Sequence, residues 1–172
     1  MKTSIALHAG PAVGFEQPFE MLLACHERVQ RSLDLLQRLQ AHVSTHGADA
    51  QAREAATDVL RYFDIAGPLH HQDEERHVLP RLRAAGQGEL AQRLASDHAE
   101  MTRQWAALRL PLADLAAGRT AALSAQACVA YAQLYAAHMA AEEAEAFPCA
   151  AEDLSEGERA GMGAEMAARR RS

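Results

Sequence analysis

Two stretches of this sequence carry histidine and glutamate in the same order and spacing. One runs His70-His71-Gln72-Asp73-Glu74-Glu75 and reaches Leu79-Pro80; the other runs His138-Met139-Ala140-Ala141-Glu142-Glu143 and reaches Phe147-Pro148. Both read His-x-x-x-Glu-Glu, then three residues, a large apolar residue and proline, which marks an internal duplication. On a helix, residues four apart lie on one face a turn apart. His70 and Glu74 therefore project together, as do His138 and Glu142. An imidazole and a carboxylate so placed can grip one metal ion or two adjacent ones. Nitrogen and oxygen donors suit iron, manganese or zinc, and no cysteine stands at ligand spacing beside them. The competing reading of a single copy is a solvated His/Glu face, worth a few tenths of a kcal/mol per pair. Two copies in register, each followed by an apolar residue and proline, favour the metal.

These segments need helices to aim them. The chain has 172 residues, 49% hydrophobic, enough for one domain with a core, and is rich in helix formers. The expected class is all-α. Residues 1–17, with Gly10-Pro11 and His8, read as an N-terminal arm. A first helix starts near Pro18 and runs to about Ser44, with an apolar stripe interrupted by His26. A second begins at Ala48-Asp49, should kink at Gly67-Pro68, and ends near Ala84. A third covers about Glu89 to Leu115, its stripe interrupted by His98 and its end distorted by Pro111. A fourth runs from about Thr120 to Phe147, closed by Pro148. A short helix from Ser155-Glu156 to about Ala168 follows. The pattern is two helical hairpins, each offering one lone inward histidine and one His-x-x-x-Glu. Short connections then favour an antiparallel up-down-up-down four-helix bundle over residues 18–148, with 149–172 as a C-terminal extension.

Several function classes fall away. The net charge of -6 offers no electrostatic case for nucleic acid or an anionic membrane. The apolar run from Ala125 to Ala141 is broken by Gln and His and should not span a bilayer. Three cysteines without a Cys-x-x-Cys pair, and no secretory pattern at the start, fit a cytoplasmic protein. Arg169-Arg170-Arg171 reads as a solvated, frayed terminus. There is no nucleophile–base triad, phosphate loop or nucleic-acid motif.

The order His26, His70-x-x-x-Glu74-Glu75, His98, His138-x-x-x-Glu142 resembles the hemerythrin-like proteins with an HHE cation-binding domain, over residues 18–148. The resemblance implies a four-helix bundle around two carboxylate-bridged, non-haem iron ions. Carried over by position, it implies His26, His70, Glu74, His98, His138 and Glu142 as metal ligands. One departure matters: oxygen carriers have a further histidine one turn after the first on the third helix, and here that position is Thr102. His71 and His77 are the candidates to fill the gap, His77 because it shares the His70 face. The expected function is binding of, or reaction with, dioxygen or a related small molecule such as nitric oxide or peroxide. Thr102 tilts this towards sensing, iron handling or detoxification rather than bulk transport. Binding is expected ahead of enzymatic turnover, with weak oxidase or peroxidase activity as the minor reading, and a homodimer is left open. The rivals are a protein that binds iron, manganese or zinc without redox turnover and a metal-free helical interaction module. Phe63, Trp105, Tyr131 and Tyr135 are read as plain core.

Overall fold

The structure, a computed structural model, describes residues 13–171, so the His8 question lies outside the described residues. It is all-helical, with no strand among those residues. Helix α1 is Pro18–His46; proline opens it, and Gly47 at φ 73° ends it with its N–H on the Val43 carbonyl. Helix α2 spans residues 50–84, capped by Asp49, whose carboxylate accepts from Ala52 N at 2.8 Å. Helix α3 is Gly88–Ala116 and runs through Pro111. Helix α4 spans residues 125–151. It starts later than the periodicity suggests because Ser124 supplies the cap, accepting from Ala127 N. Helix α5, Glu156–Arg169, opens on a capping box between Ser155 and Glu158.

Helix α2 continues through Pro68 and Pro80, and α4 continues past Pro148, where the sequence reading closes it. Each of these prolines is preceded by a π-helical turn: Tyr62–Ala66, Glu74–Val78 and Glu142–Ala146. The residue after each turn donates five back: Gly67 to Tyr62, Leu79 to Glu74, Phe147 to Glu142. Proline lacks an N–H and its ring crowds the carbonyl four residues before it. A widened turn relieves that crowding and lets the helix continue. The two turns inside the duplicated motif start on Glu74 and Glu142, so the repeat is visible in the backbone as well.

Apolar side chains form two buried groups. One takes Phe19 to Cys25 of α1, Val78 to Leu82 of α2, Ala91 and Leu94 of α3, and Ala146 to Ala150 of α4. The other takes Val29 to Leu39 of α1, Ala52 to Phe63 of α2, Met101 to Leu115 of α3, and Cys128 to Met139 of α4. The buried histidines and glutamates lie at the boundary between these groups, a histidine each on α1 and α3 and a His–Glu pair each on α2 and α4.

The last helix is not a frayed tail. Met162 and Met166 enter the first apolar group. Arg169 and Arg170 both pair with Asp73, which has no exposed surface, Arg170 Nη2 at 2.6 Å. The reason is local charge balance: a buried carboxylate is stable only when paired. Arg170 also lies over the Phe15 ring, 5.1 Å from its centroid. Gly163 lets α5 approach so closely that a Cβ there would sit 1.7 Å from the Phe15 carbonyl oxygen. No helix among the described residues is long and apolar enough to cross a membrane.

Candidate metal centre

Six of the sequence candidates come together at the level between the two apolar groups. His26, His70, Glu74 and Glu142 form one four-donor set, and Glu74, His98, His138 and Glu142 form another; in each, the donor atoms lie within 4.8 Å of one another. All six residues are buried, and Glu74 and Glu142 have no exposed surface. The i,i+4 rule supplies the short links within a helix: His70 Nε2 to Glu74 Oε1 is 2.9 Å, and His138 Nε2 to Glu142 Oε1 is 3.0 Å. The remaining links cross between helices. His98 Nε2 is 3.2 Å from Glu74 Oε2, and His26 Nε2 is 3.1 Å from Glu142 Oε2. Each carboxylate thus turns one oxygen towards His26 or His70 and the other towards His98 or His138.

The donor set fits a cation. All four oxygens of Glu74 and Glu142, and Nε2 of His26, are buried without a hydrogen bond. Buried carboxylates left without a partner cost several kcal/mol each. Without a cation, imidazolium must take up that charge. Burial disfavours protonating His26, but the carboxylates of Glu142 and Glu74 outweigh it and raise its pKa to about 9. His70 and His138 are also raised, against burial, by Glu74 and Glu142 respectively. Burial acts to raise Glu74, yet the surrounding histidines, His70 foremost, hold it well below the usual carboxylate range.

Outer nitrogens are held as well. His26 Nδ1 meets Glu143 Oε1 at 2.7 Å, His98 Nδ1 meets Glu75 Oε1 at 3.0 Å, and His138 Nδ1 meets Asp97 Oδ2 at 3.1 Å. When such an Nδ1–H donates to a carboxylate, the Nε2 lone pair is left facing inward. Glu75 and Glu143 were visible in the sequence as the second glutamate of each repeat, but without a role. Asp97 had no signal beyond standing next to His98. The buried Cys25 thiol lies beside His70, whose Nδ1 meets no carboxylate. Burial pushes that thiol up, but His70 outweighs it and holds the thiol below its ordinary value.

The two additional candidates go to different places. His77 is not brought to the cluster: its Nε2 lies 3.1 Å from Glu165 of α5. Seven residues carry it about 10 Å along the axis, too far from His70 to share an ion. His71 is nearer. Its ring stacks on His98 at 4.2 Å between centroids, and Tyr135 Oη lies 3.4 Å from its Nε2. Burial, with His98 alongside, holds His71 neutral, well below its ordinary pKa. It belongs to neither four-donor set among the described residues.

Thr102 turns its hydroxyl back onto the His98 carbonyl at 2.9 Å. Beside it opens a cavity of about 320 Å³, lined by His71, His98, Thr102, Trp105, Tyr131 and Tyr135 among others. The aromatic residues read as core do pack there: Phe63, Tyr131 and Tyr135 are buried and Trp105 packs partly buried against them. They also form this cavity's wall, which His98 of the cluster shares.

Comparison with known proteins agrees with this geometry. The family model described as the hemerythrin HHE cation binding domain matches residues 17–150. A Haemophilus influenzae protein described only as uncharacterized is 32% identical over 158 residues, covering 91% of this chain and 91% of its own length.

Proposed function

The chain belongs to the hemerythrin HHE cation-binding family, and from that premise we propose that it holds two iron ions and binds or reacts with dioxygen or a related small molecule. The observation that carries this is the pair of overlapping four-donor sets sharing two buried, un-hydrogen-bonded carboxylates. His26 and His70 would hold one ion and His98 and His138 the other, with Glu74 and Glu142 available to both. We read the alternation of the two apolar groups along α1 to α4 as an antiparallel up-down-up-down bundle. Residues 18–148 are then the cation-binding unit, preceded by the arm 1–17 and followed by 149–172 folded against it.

Two ferrous ions held there would supply two electrons to dioxygen or peroxide. The protein's own groups do the rest. Glu75, Glu143 and Asp97 orient three imidazoles through their outer nitrogens. The apolar groups on either side keep water from the donor layer. The cavity at Thr102 gives a small ligand a route to the His98 side, where an oxygen carrier would place another imidazole. An open position in place of a closed one supports sensing, iron handling or detoxification over bulk transport. Free cysteines fit a reducing compartment.

The test is metal content by mass spectrometry on protein made in iron-supplied cells, with its visible spectrum in air and after reduction. About two irons per chain, and absorption that changes on reduction and re-exposure to oxygen, are expected. Glu74→Ala and His138→Ala should lose most of the metal while His42→Ala keeps it. Equal loss in all three, or one colourless zinc, would sink the proposal.

A further inference from the structure

This inference rests on the two-cation reading. The duplication relates α1 to α3 and α2 to α4, so His26 corresponds to His98, His70 to His138, and Glu75 to Glu143. Three of the four histidines obey that symmetry on their outer side, each with a carboxylate on Nδ1. The fourth does not. Asp97 stands one residue before His98 and serves His138; Cys25 stands one residue before His26, in the matching place, and lies beside His70. His70 is 3% exposed, and no carboxylate meets its Nδ1 among the described residues; Cys25 is the side chain beside it. Where the symmetry calls for a carboxylate, the chain has a buried cysteine, whose sulfur is a weak hydrogen-bonding group.

A carboxylate on the outer nitrogen fixes the ring and raises the basicity of the inner one, and losing it costs roughly 10–100-fold in metal affinity. We propose that the two cation positions are unequal by about that factor: the His98/His138 position fills first, and the His26/His70 position holds its ion more weakly because Cys25 replaces an aspartate behind His70. The tight ion then stays in place across the range of free-ion concentration over which the second comes and goes. Occupancy of the weak position reports the ferrous-ion supply, and only the filled pair offers two electrons.

The experiment is an anaerobic titration of the full-length protein with ferrous iron against a chromophoric chelator, with Mössbauer spectra at one equivalent of enriched iron. The wild type should show two steps about 10–100-fold apart and a single quadrupole doublet at one equivalent. Asp97 is partly solvent-exposed, so Asp97→Asn keeps the fold. It should weaken the first step about tenfold, bring the steps together and split the one-equivalent signal into two doublets. Asp97→Glu should restore the separation, and Cys25→Asp should tighten the second step. Two ions of equal affinity in the wild type, or an Asp97→Asn variant with the wild-type separation, would overturn this inference and leave the two-cation reading standing. A chain that binds no ion would overturn both.

Discussion

Raising the pH should destabilise the metal-free protein. Its donor cluster is neutralised by protons: His26 binds one with a pKa of about 9, against 6.5 in an unfolded chain. A folded-state pKa above the unfolded one gives stability that is full below 6.5 and lost as pH climbs through 9. Holding the proton that tightly is worth about 3 kcal/mol when it is fully bound. About 2 kcal/mol of this disappears between roughly pH 7 and pH 8.5. His70 and His138 are raised too and add to the loss. The Cys25 thiol, held below its ordinary value, works the other way, and a Cys25→Ala background removes its opposing slope. Glu74, held well below the usual carboxylate range, adds no slope in this window. His71 and His77, both lowered, act near and below their unfolded pKa of 6.5. The assay is urea unfolding of chelator-treated protein at pH 7.0, 7.75 and 8.5, followed by circular dichroism. Saturating ferrous iron, added without oxygen, should abolish the fall, because ligation needs the neutral imidazoles that high pH favours. Metal-free stability that is flat or rising across the window would refute the reasoning. So would an unchanged fall in a His26→Asn variant, which would place the slope elsewhere.

Other outcomes follow from particular contacts. Glu143→Gln and Glu75→Gln remove the carboxylates behind His26 and His98; each should lower metal affinity by about tenfold or more, read by chelator competition, with helix content unchanged. Asp73→Ala leaves Arg169 and Arg170 without their buried partner and should cost about 3 kcal/mol in urea unfolding. Gly163→Ala puts a methyl group where the Phe15 carbonyl sits. It should cost about 1–3 kcal/mol and expose the 13–17 segment to proteolysis. Ser155→Ala breaks the α5 capping box and should cost about 1 kcal/mol, seen as a lower melting temperature.

Much of this molecule is written in local spacing. The all-helical class, the helix starts at Pro18, Asp49 and Ser155, and the duplicated His-x-x-x-Glu-Glu are all periodic or capping signals that act over one or two turns. The same short-range rule put His70 with Glu74 and His138 with Glu142. Pro148 was misjudged as a stop for a physical reason: proline's missing N–H marks a problem for the helix, and whether the answer is a stop or a widened turn depends on the packing around it. At Pro80 and Pro148 the answer was a π turn, beginning on Glu74 and on Glu142.

What spacing does not carry is contact between helices. Glu143 reaches His26 across 117 positions, and Arg170 reaches Asp73 across 97. No residue pattern along one helix says which neighbour its outer face will meet. The choice of Glu75, Glu143 and Asp97 as partners of the outer nitrogens was therefore made by tertiary structure. So were the diversion of His77 to Glu165 and the burial of a thiol beside His70. The sequence by itself determined which chemistry the chain holds and on which face of each helix. Only the packed fold decided which nitrogen faces the centre, which carboxylate stands behind it, and where the two-fold pattern breaks. Helix periodicity is set by backbone geometry within a chain segment, whereas partner choice depends on shapes and charges brought together from its far ends.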